Sequence, residues 1–241
     1  MPAHDNHAIA HNAQTMQSAA HAARRYGGLS AQERSAQRRQ KLLDAAVQVF
    51  GTLGLRRATI RDICNEARLT ERYFSEHFAS VTDAYEAAFK CVSEQALLAT
   101  ATAMGAASLD TIALARAGLR AFLGFVQEDP RRAQIMLIDA SSYWRHIAIK
   151  SNPELNQHAQ AMRQFAKLIY PDLPDHIDLR LIGPSLIGAS LQSCLTWVQG
   201  GCKQPLETAV EHQMFVWEGL DRWFHAEIDA QKKPTGVSRS V

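Results

Sequence analysis

From Ser30 onward the apolar positions recur at three- and four-residue steps, the period of one buried stripe on a helix. Leu42, Leu43, Ala46, Val47, Phe50 and Leu53 form the first stripe. They predict a helix from near Ser30 to Gly54, which stands where a C-capping glycine is expected. Two very short helices follow, then a longer one over about residues 81–104. A helix over 110–128 ends at Asp129-Pro130, and Pro130 opens the next, to about residue 150. Asn152-Pro153 starts another that stops near Tyr170-Pro171. Residues 175–198 make the next, closed by Gly200-Gly201, and Pro205 lies in the first turn of a last helix to about residue 229. No β-alternation of useful length interrupts the series, so the expected fold is all-α.

The stretch ATIRDICNEARLTERYFSEHF, residues 58–78, holds the most chemistry. Thr59 is a good N-cap, and Asp62 three positions on completes a capping-box-like pair. Ile60, Ile63 and Ala67 then face inward on a helix of barely two turns. A break follows at Arg68-Leu69, and Thr70 is the N-cap of a second short helix buried through Leu69, Phe74 and Phe78. Two short helices joined by a tight turn behind a long amphipathic helix make a helix-turn-helix over residues 59–78. Glu71, Arg72, Tyr73, Ser75 and Glu76 lie off the buried face, with His77 near its end. Arginine offers two donors to guanine O6 and N7, and tyrosine reaches a phosphate or a thymine methyl. Thr59, Thr70 and the helix starts they cap offer donors for backbone phosphates.

Charge supports that reading once it is divided. The 241-residue chain carries only +2 overall. Between Arg24 and Phe78, eleven basic residues face six acidic ones, a local balance of +5 that leaves −3 for the remainder. Arg38, Arg39 and Lys41 on the opening helix are candidates for contact with the DNA backbone. Hydrophobic residues at 46% and charged ones at 21% are ordinary for a globular chain with a sizeable core. The four cysteines, Cys64, Cys91, Cys194 and Cys202, form no C-x-x-C pair and are expected to be reduced core residues of a cytoplasmic protein. The N-terminus has no apolar segment of signal-peptide length. His4, His7, His11 and His21 match no metal-site spacing; residues 1–30 and 231–241 are expected to be disordered tails, and no metal or cofactor is expected. Residues 181–202 carry no formal charge, but Ser185, Gln192, Ser193 and Gln199 make them too polar for a lone lipid-facing helix. Burial between protein surfaces, with no membrane partner, is the expectation there.

About sixty residues, from RRQKLLDAAVQVF to ASVTDAYEAAF, resemble the TetR (tetracycline-repressor) family of bacterial transcriptional regulators. The matches are Ala45-Ala46 through Phe50, then Gly54, Thr59, Asp62-Ile63 and the closing His77-Phe78. Three positions depart from the pattern. The usual turn glycine is Arg68, which must either avoid a positive φ or absorb strain; the usual recognition-helix tyrosine aligns with Ser75; the frequent lysine after His-Phe is Val81. The resemblance implies an N-terminal three-helix DNA-binding domain, residues 31–80, and a C-terminal helical ligand-binding and dimerisation domain, residues 81–230. It implies a homodimeric repressor on a pseudo-palindromic double-stranded operator, released by a small-molecule effector.

The C-terminal region has its own physical logic. Gly183, Ser185, Gly188, Ala189 and Ser193 permit close helix approach, and Gln213, Val216, Trp217, Leu220, Trp223 and Phe224 recur at helical spacing on the last helix. The same resemblance implies that two such helices from each subunit form a four-helix dimer interface, with Leu186, Ala189, Val216, Trp217 and Leu220 as its candidates. The same spacing also serves an intrachain core. Met104, Phe122, Phe125, Met136, Trp144, His146 and Phe165 are candidates to line an effector pocket, or plain core. An effector-free regulator or activator controlled by a protein partner fits the same residues. An all-α enzyme has less to rest on: Gly183-Pro184-Ser185-Leu186-Ile187-Gly188 spaces its second glycine one position late for a nucleophile elbow, and no catalytic residue is expected.

Overall fold

In a computed structural model the described residues are 30–140, 164 and 166–232, and they are helical with no strand among them. The first helix, α1 (Ala31–Leu53), starts at a reciprocal capping box, in which Ser30 Oγ accepts the Glu33 N–H and the Glu33 carboxylate accepts the Ser30 N–H. It ends at Gly54, whose φ of 74° needs a glycine. Then come α2 (Ile60–Ala67), α3 (Glu71–Ser75), α4 (Val81–Gly105) and α5 (Thr111–Glu128). Pro130 opens α6 (Pro130–Ala133), with Asp129 as N-cap, and this runs straight into a π-helical turn, Gln134–Asp139. The last two long helices are α7 (Leu179–Gln199) and α8 (Leu206–Lys232).

Several boundaries differ from the sequence expectation. The helix beginning at Pro130 is not regular, because its second turn widens to π geometry. Residues 175–178 are turns instead of the start of α7: Asp178 caps that helix through the Arg180 N–H, and Ile177 is buried beside Tyr170 and Phe224. At the other end α8 continues to Lys232, into the residues expected to be a tail. The remainder of both tails with His4, His7, His11 and His21, the start of the helix expected at Asn152-Pro153, and the pocket candidates Trp144, His146 and Phe165 lie outside the described residues.

One continuous core joins the parts. Leu42, Ala46 and Phe50 of α1 pack with Ile63 and Cys64 of α2, Phe74 of α3 and Tyr85 and Ala88 of α4. The same core continues through Leu123 and Val126 of α5 to Val210 and Met214 of α8. α5 packs most extensively on α4 and α8, and α1 on α2 and α4. A smaller core of Tyr170, Ile177 and Phe224 fastens residues 169–182 to the C-terminal half of α8. There the Tyr170 hydroxyl meets Thr111 of α5 and donates to Asp221 of α8. Burial, and then the bond to Asp221, push the tyrosine up to about 12, so it stays a neutral donor. All four cysteines are free, and burial raises each thiol, Cys194 to about 12, which suits inert core residues.

Candidate nucleic-acid interface

The helix-turn-helix is built by local chemistry. Thr59 caps α2 as expected: its Oγ1 accepts the Asp62 N–H and donates to the Asp62 carboxylate, which also accepts the Thr59 N–H. That hydroxyl proton is thus committed to the cap and not to a phosphate. Ile63 and Cys64 are buried, with Ile60 and Ala67 packed at the edge of the core. The turn is then made by Arg68, left-handed at φ 54°, ψ 43°, whose N–H returns to the carbonyls of Cys64 and Asn65. Of the two outcomes open to a non-glycine here, the chain has taken the strain. A left-handed arginine costs about 1 kcal/mol, and glycine gives back about half of that in unfolded-state freedom. Arg68→Gly is therefore expected to stabilise the protein by about 0.5 kcal/mol in denaturant titration, whereas a loss of stability would mean that the Arg68 side chain holds the turn.

Thr70 occupies the N-cap position of α3, but its side chain makes no capping bond. Phe74 and Phe78 anchor α3, their rings 5.6 Å apart and almost wholly buried. Outward stand Glu71, Arg72, Ser75 and Glu76, all exposed. Arg72 pairs with Glu76 at 3.4 Å, its side chain 87% accessible, and Ser75 Oγ donates to the Glu71 carbonyl. Two residues sit differently from the expectation. Tyr73 is half-buried under the Arg38 guanidinium, 4.7 Å from the ring centroid, and His77 is half-buried with Nε2 turned inward, without a partner among the described residues. Arg39 covers the Phe78 ring at 5.4 Å, while Lys41 is exposed.

Sequence reasoning missed how this unit is fastened to the rest. The π turn brings Asp139 to the end of α1, where its carboxylate accepts the Leu55 N–H at 2.9 Å and the Gln134 side-chain amide at 2.9 Å. The Tyr85 hydroxyl donates to the Ile135 carbonyl at 2.8 Å, satisfying an acceptor in the same π turn. Burial raises the Asp139 carboxyl above its ordinary 3.8, against the lowering effect of those two bonds. A carboxyl that binds its proton more tightly when folded makes stability fall as pH rises from 3.8 through its elevated value. Asp139→Asn, which keeps an acceptor for Leu55, should flatten that slope in thermal melts. Asp139→Ala, which removes the same carboxyl and also orphans the Leu55 N–H, should flatten the slope too and be about 1 kcal/mol less stable than the asparagine variant at every pH. An unchanged slope in the asparagine variant would remove Asp139 from this role.

The four pocket candidates among the described residues, Met104, Phe122, Phe125 and Met136, are buried or half-buried. Phe125 is buried under the Arg132 guanidinium at 4.0 Å, Phe122 and Met136 lie against the main core, and the Met104 sulfur would stand 3.3 Å from a Cβ added at Gly118. Of the expected dimer residues, Leu186 is buried within its own chain; Trp217 packs on the main core and Leu220 on the smaller one, and Ala189 and Val216 are half-buried. The large apolar residues left exposed on α7 and α8 are Leu181, Phe215 and Trp223. α7 is long and apolar enough to cross a membrane by length and composition, yet only 22% of its most apolar stretch is buried.

Residues 42–88 match the family described as bacterial regulatory proteins of the tetR family. No curated protein matches the sequence at a significant level. Among solved structures, the fatty acid degradation regulator FadR of Bacillus halodurans aligns with a TM-score of 0.65 and 18% identity, over 76% of this chain and 96% of that one. A TetR-like transcriptional regulator of Rhodococcus sp. RHA1 aligns with a TM-score of 0.57 and 20% identity, over 76% and 95%. The transcriptional regulator FadR of Bacillus subtilis, in complex with stearoyl-CoA, aligns with a TM-score of 0.57 and 13% identity, over 74% and 96%. At such identities the likeness is one of fold, and the family match falls on the helix-turn-helix and the helices that flank it. Together with the capped α2 and the short α3 that follows it, this identifies residues 42–88 as a DNA-binding helix-turn-helix of the tetR family of bacterial regulatory proteins.

Proposed function

We propose that the protein is a repressor that binds a pseudo-palindromic operator as a homodimer and leaves it when a small molecule binds the helices of residues 81–230. The carrying observation is the unmatched apolar face of α7 and α8. Leu181, Phe215 and Trp223 are exposed beside Gly188 and Gly219, where an added Cβ would meet nothing within 4 Å. A second copy covers such a face by two-fold symmetry and sets two α3 helices for successive major grooves, about one helical turn apart. The same burial accounts for the apolar character of α7 without a membrane, consistent with a cytoplasmic regulator.

Arg72 is the base reader in this proposal, with Glu71 and Ser75 beside it. Its exposed pair with Glu76 contributes little, so exchanging Glu76 for a guanine edge costs about 1 kcal/mol or less. Selection of bound sequences from random DNA tests operator and symmetry together: a palindrome is expected, and a single unpaired half-site would defeat the dimeric reading. On the recovered site, Arg72→Ala should weaken binding about tenfold and relax one base position. Unchanged affinity would remove the arginine from base recognition. For the effector, acyl-CoA thioesters head a thermal-shift screen, because two similar structures are named as fatty acid regulators or carry stearoyl-CoA. A hit that also weakens operator binding supports the release mechanism. Operator binding indifferent to every hit would favour a regulator controlled by a protein partner.

A further inference from the structure

The recognition helix is too short to hold itself. α3 has five residues and no side-chain cap at its start, and a helix of that length is unstable alone, so its orientation is set by what packs on it. Phe74 and Phe78 anchor one side. Beside the packing on α2, two consecutive arginines of α1 each sit over an aromatic ring of this segment: Arg38 over Tyr73 and Arg39 over Phe78. Arg38 is the more enclosed of the two. It is half-buried, and its Nε is shut away without a hydrogen-bond partner among the described residues. A guanidinium serving a phosphate presents its N–H edge to solvent, whereas this one has its Cζ over a ring, 4.7 Å from the centroid, and loses one donor to burial.

We propose that Arg38 is a positioning residue for DNA-sequence discrimination: by stacking on Tyr73 it fixes the angle at which α3 presents Arg72 and Ser75 to the base edges. The inference rests on the DNA-binding reading and deepens it. A plane lying over a ring is a property of arginine and not of lysine, so charge and geometry are separable here. Phosphate contacts strengthen binding to all sequences alike and steepen its salt dependence, whereas a positioning contact acts on the ratio between operator and random DNA.

The test uses the full chain, the operator recovered by selection and a random duplex of equal length, each titrated over a range of salt. Arg38→Lys should leave random-DNA affinity and the salt slope unchanged while the operator-to-random ratio falls about five- to tenfold. Tyr73→Leu should lower that ratio similarly, and the double variant should be no worse than the poorer single one, with circular dichroism confirming the fold of each. A ratio preserved in Arg38→Lys overturns the proposal. So does an Arg38→Ala variant that weakens both DNAs equally and reduces the salt slope by about one unit, the signature of a phosphate contact. Failure of the unmutated protein to bind any duplex would overturn the DNA-binding reading itself, and this inference with it.

Discussion

Replacing Gly51 by alanine is expected to destabilise the protein by about 2 kcal/mol, although alanine is the better helix former. Gly51 lies in the last turn of α1, where α6 crosses it. An added Cβ would stand 2.3 Å from the Arg131 Cβ, 2.8 Å from its Cγ and 3.0 Å from its Cα. Those are atoms at and next to the backbone, so no rotamer change in Arg131 opens the space. The Arg131 side chain is also held, by Asp129 through two nitrogens and by Gln48 of α1. Overpacking of this kind costs about 3 kcal/mol, and the helix-propensity gain of alanine returns about 1 kcal/mol. Denaturant titration measures the net effect. The loss should fall where the helix-turn-helix meets the rest of the chain, because the Asp139 link to Leu55 lies just beyond the same turn. Unchanged stability would mean that α1 and α6 part easily, and that the link through Asp139 carries little.

What the sequence made legible is local. Ser30 with Glu33 and Thr59 with Asp62 act within four residues, so each cap could be read from spacing, as could Gly54 at a helix end. The buried faces of α1 and α2 follow the same logic, since a stripe at helical period must be covered whatever covers it. The sequence is silent where distant residues decide. Spacing marks Trp217 and Leu220 as apolar, but which surface covers them depends on how α8 meets α5 and the segment at Tyr170. Tyr73 looks outward on a helical wheel until Arg38, 35 positions earlier, is folded over it. The π turn depends on bonds to Tyr85 and Leu55 that no window around residues 134–139 contains. Even Arg68 was only half legible: the missing glycine was plain, but whether φ would turn positive was settled by the packing of α2 against α3.

Phe215→Glu is expected to separate the proposed dimer and, with it, to weaken operator binding. Phe215 is 69% exposed in the single chain, and Trp223 two turns later on α8 is 42% exposed, while Phe224 beside it is buried. Introducing a carboxylate at Phe215 therefore leaves the chain's own core intact, and helical content and melting of the monomer should barely change. Trp217→Glu or Leu220→Glu would be a poorer probe, because both side chains pack within their own chain and their loss would confuse unfolding with dissociation. In the proposed dimer Phe215 would lie on the face that a second copy covers, and a carboxylate there would be desolvated and unpaired. Each subunit would then hold one half-site alone. The second half-site would no longer benefit from tethering, which multiplies affinity about 100-fold or more. Sedimentation should show a monomer at concentrations where the unmutated protein is a dimer. Gel-shift titration should show full-site affinity falling about 100-fold towards that of a half-site. A Phe215→Glu protein that remains dimeric and binds its operator normally would place the interface elsewhere and leave the exposed face of α7 and α8 without this role.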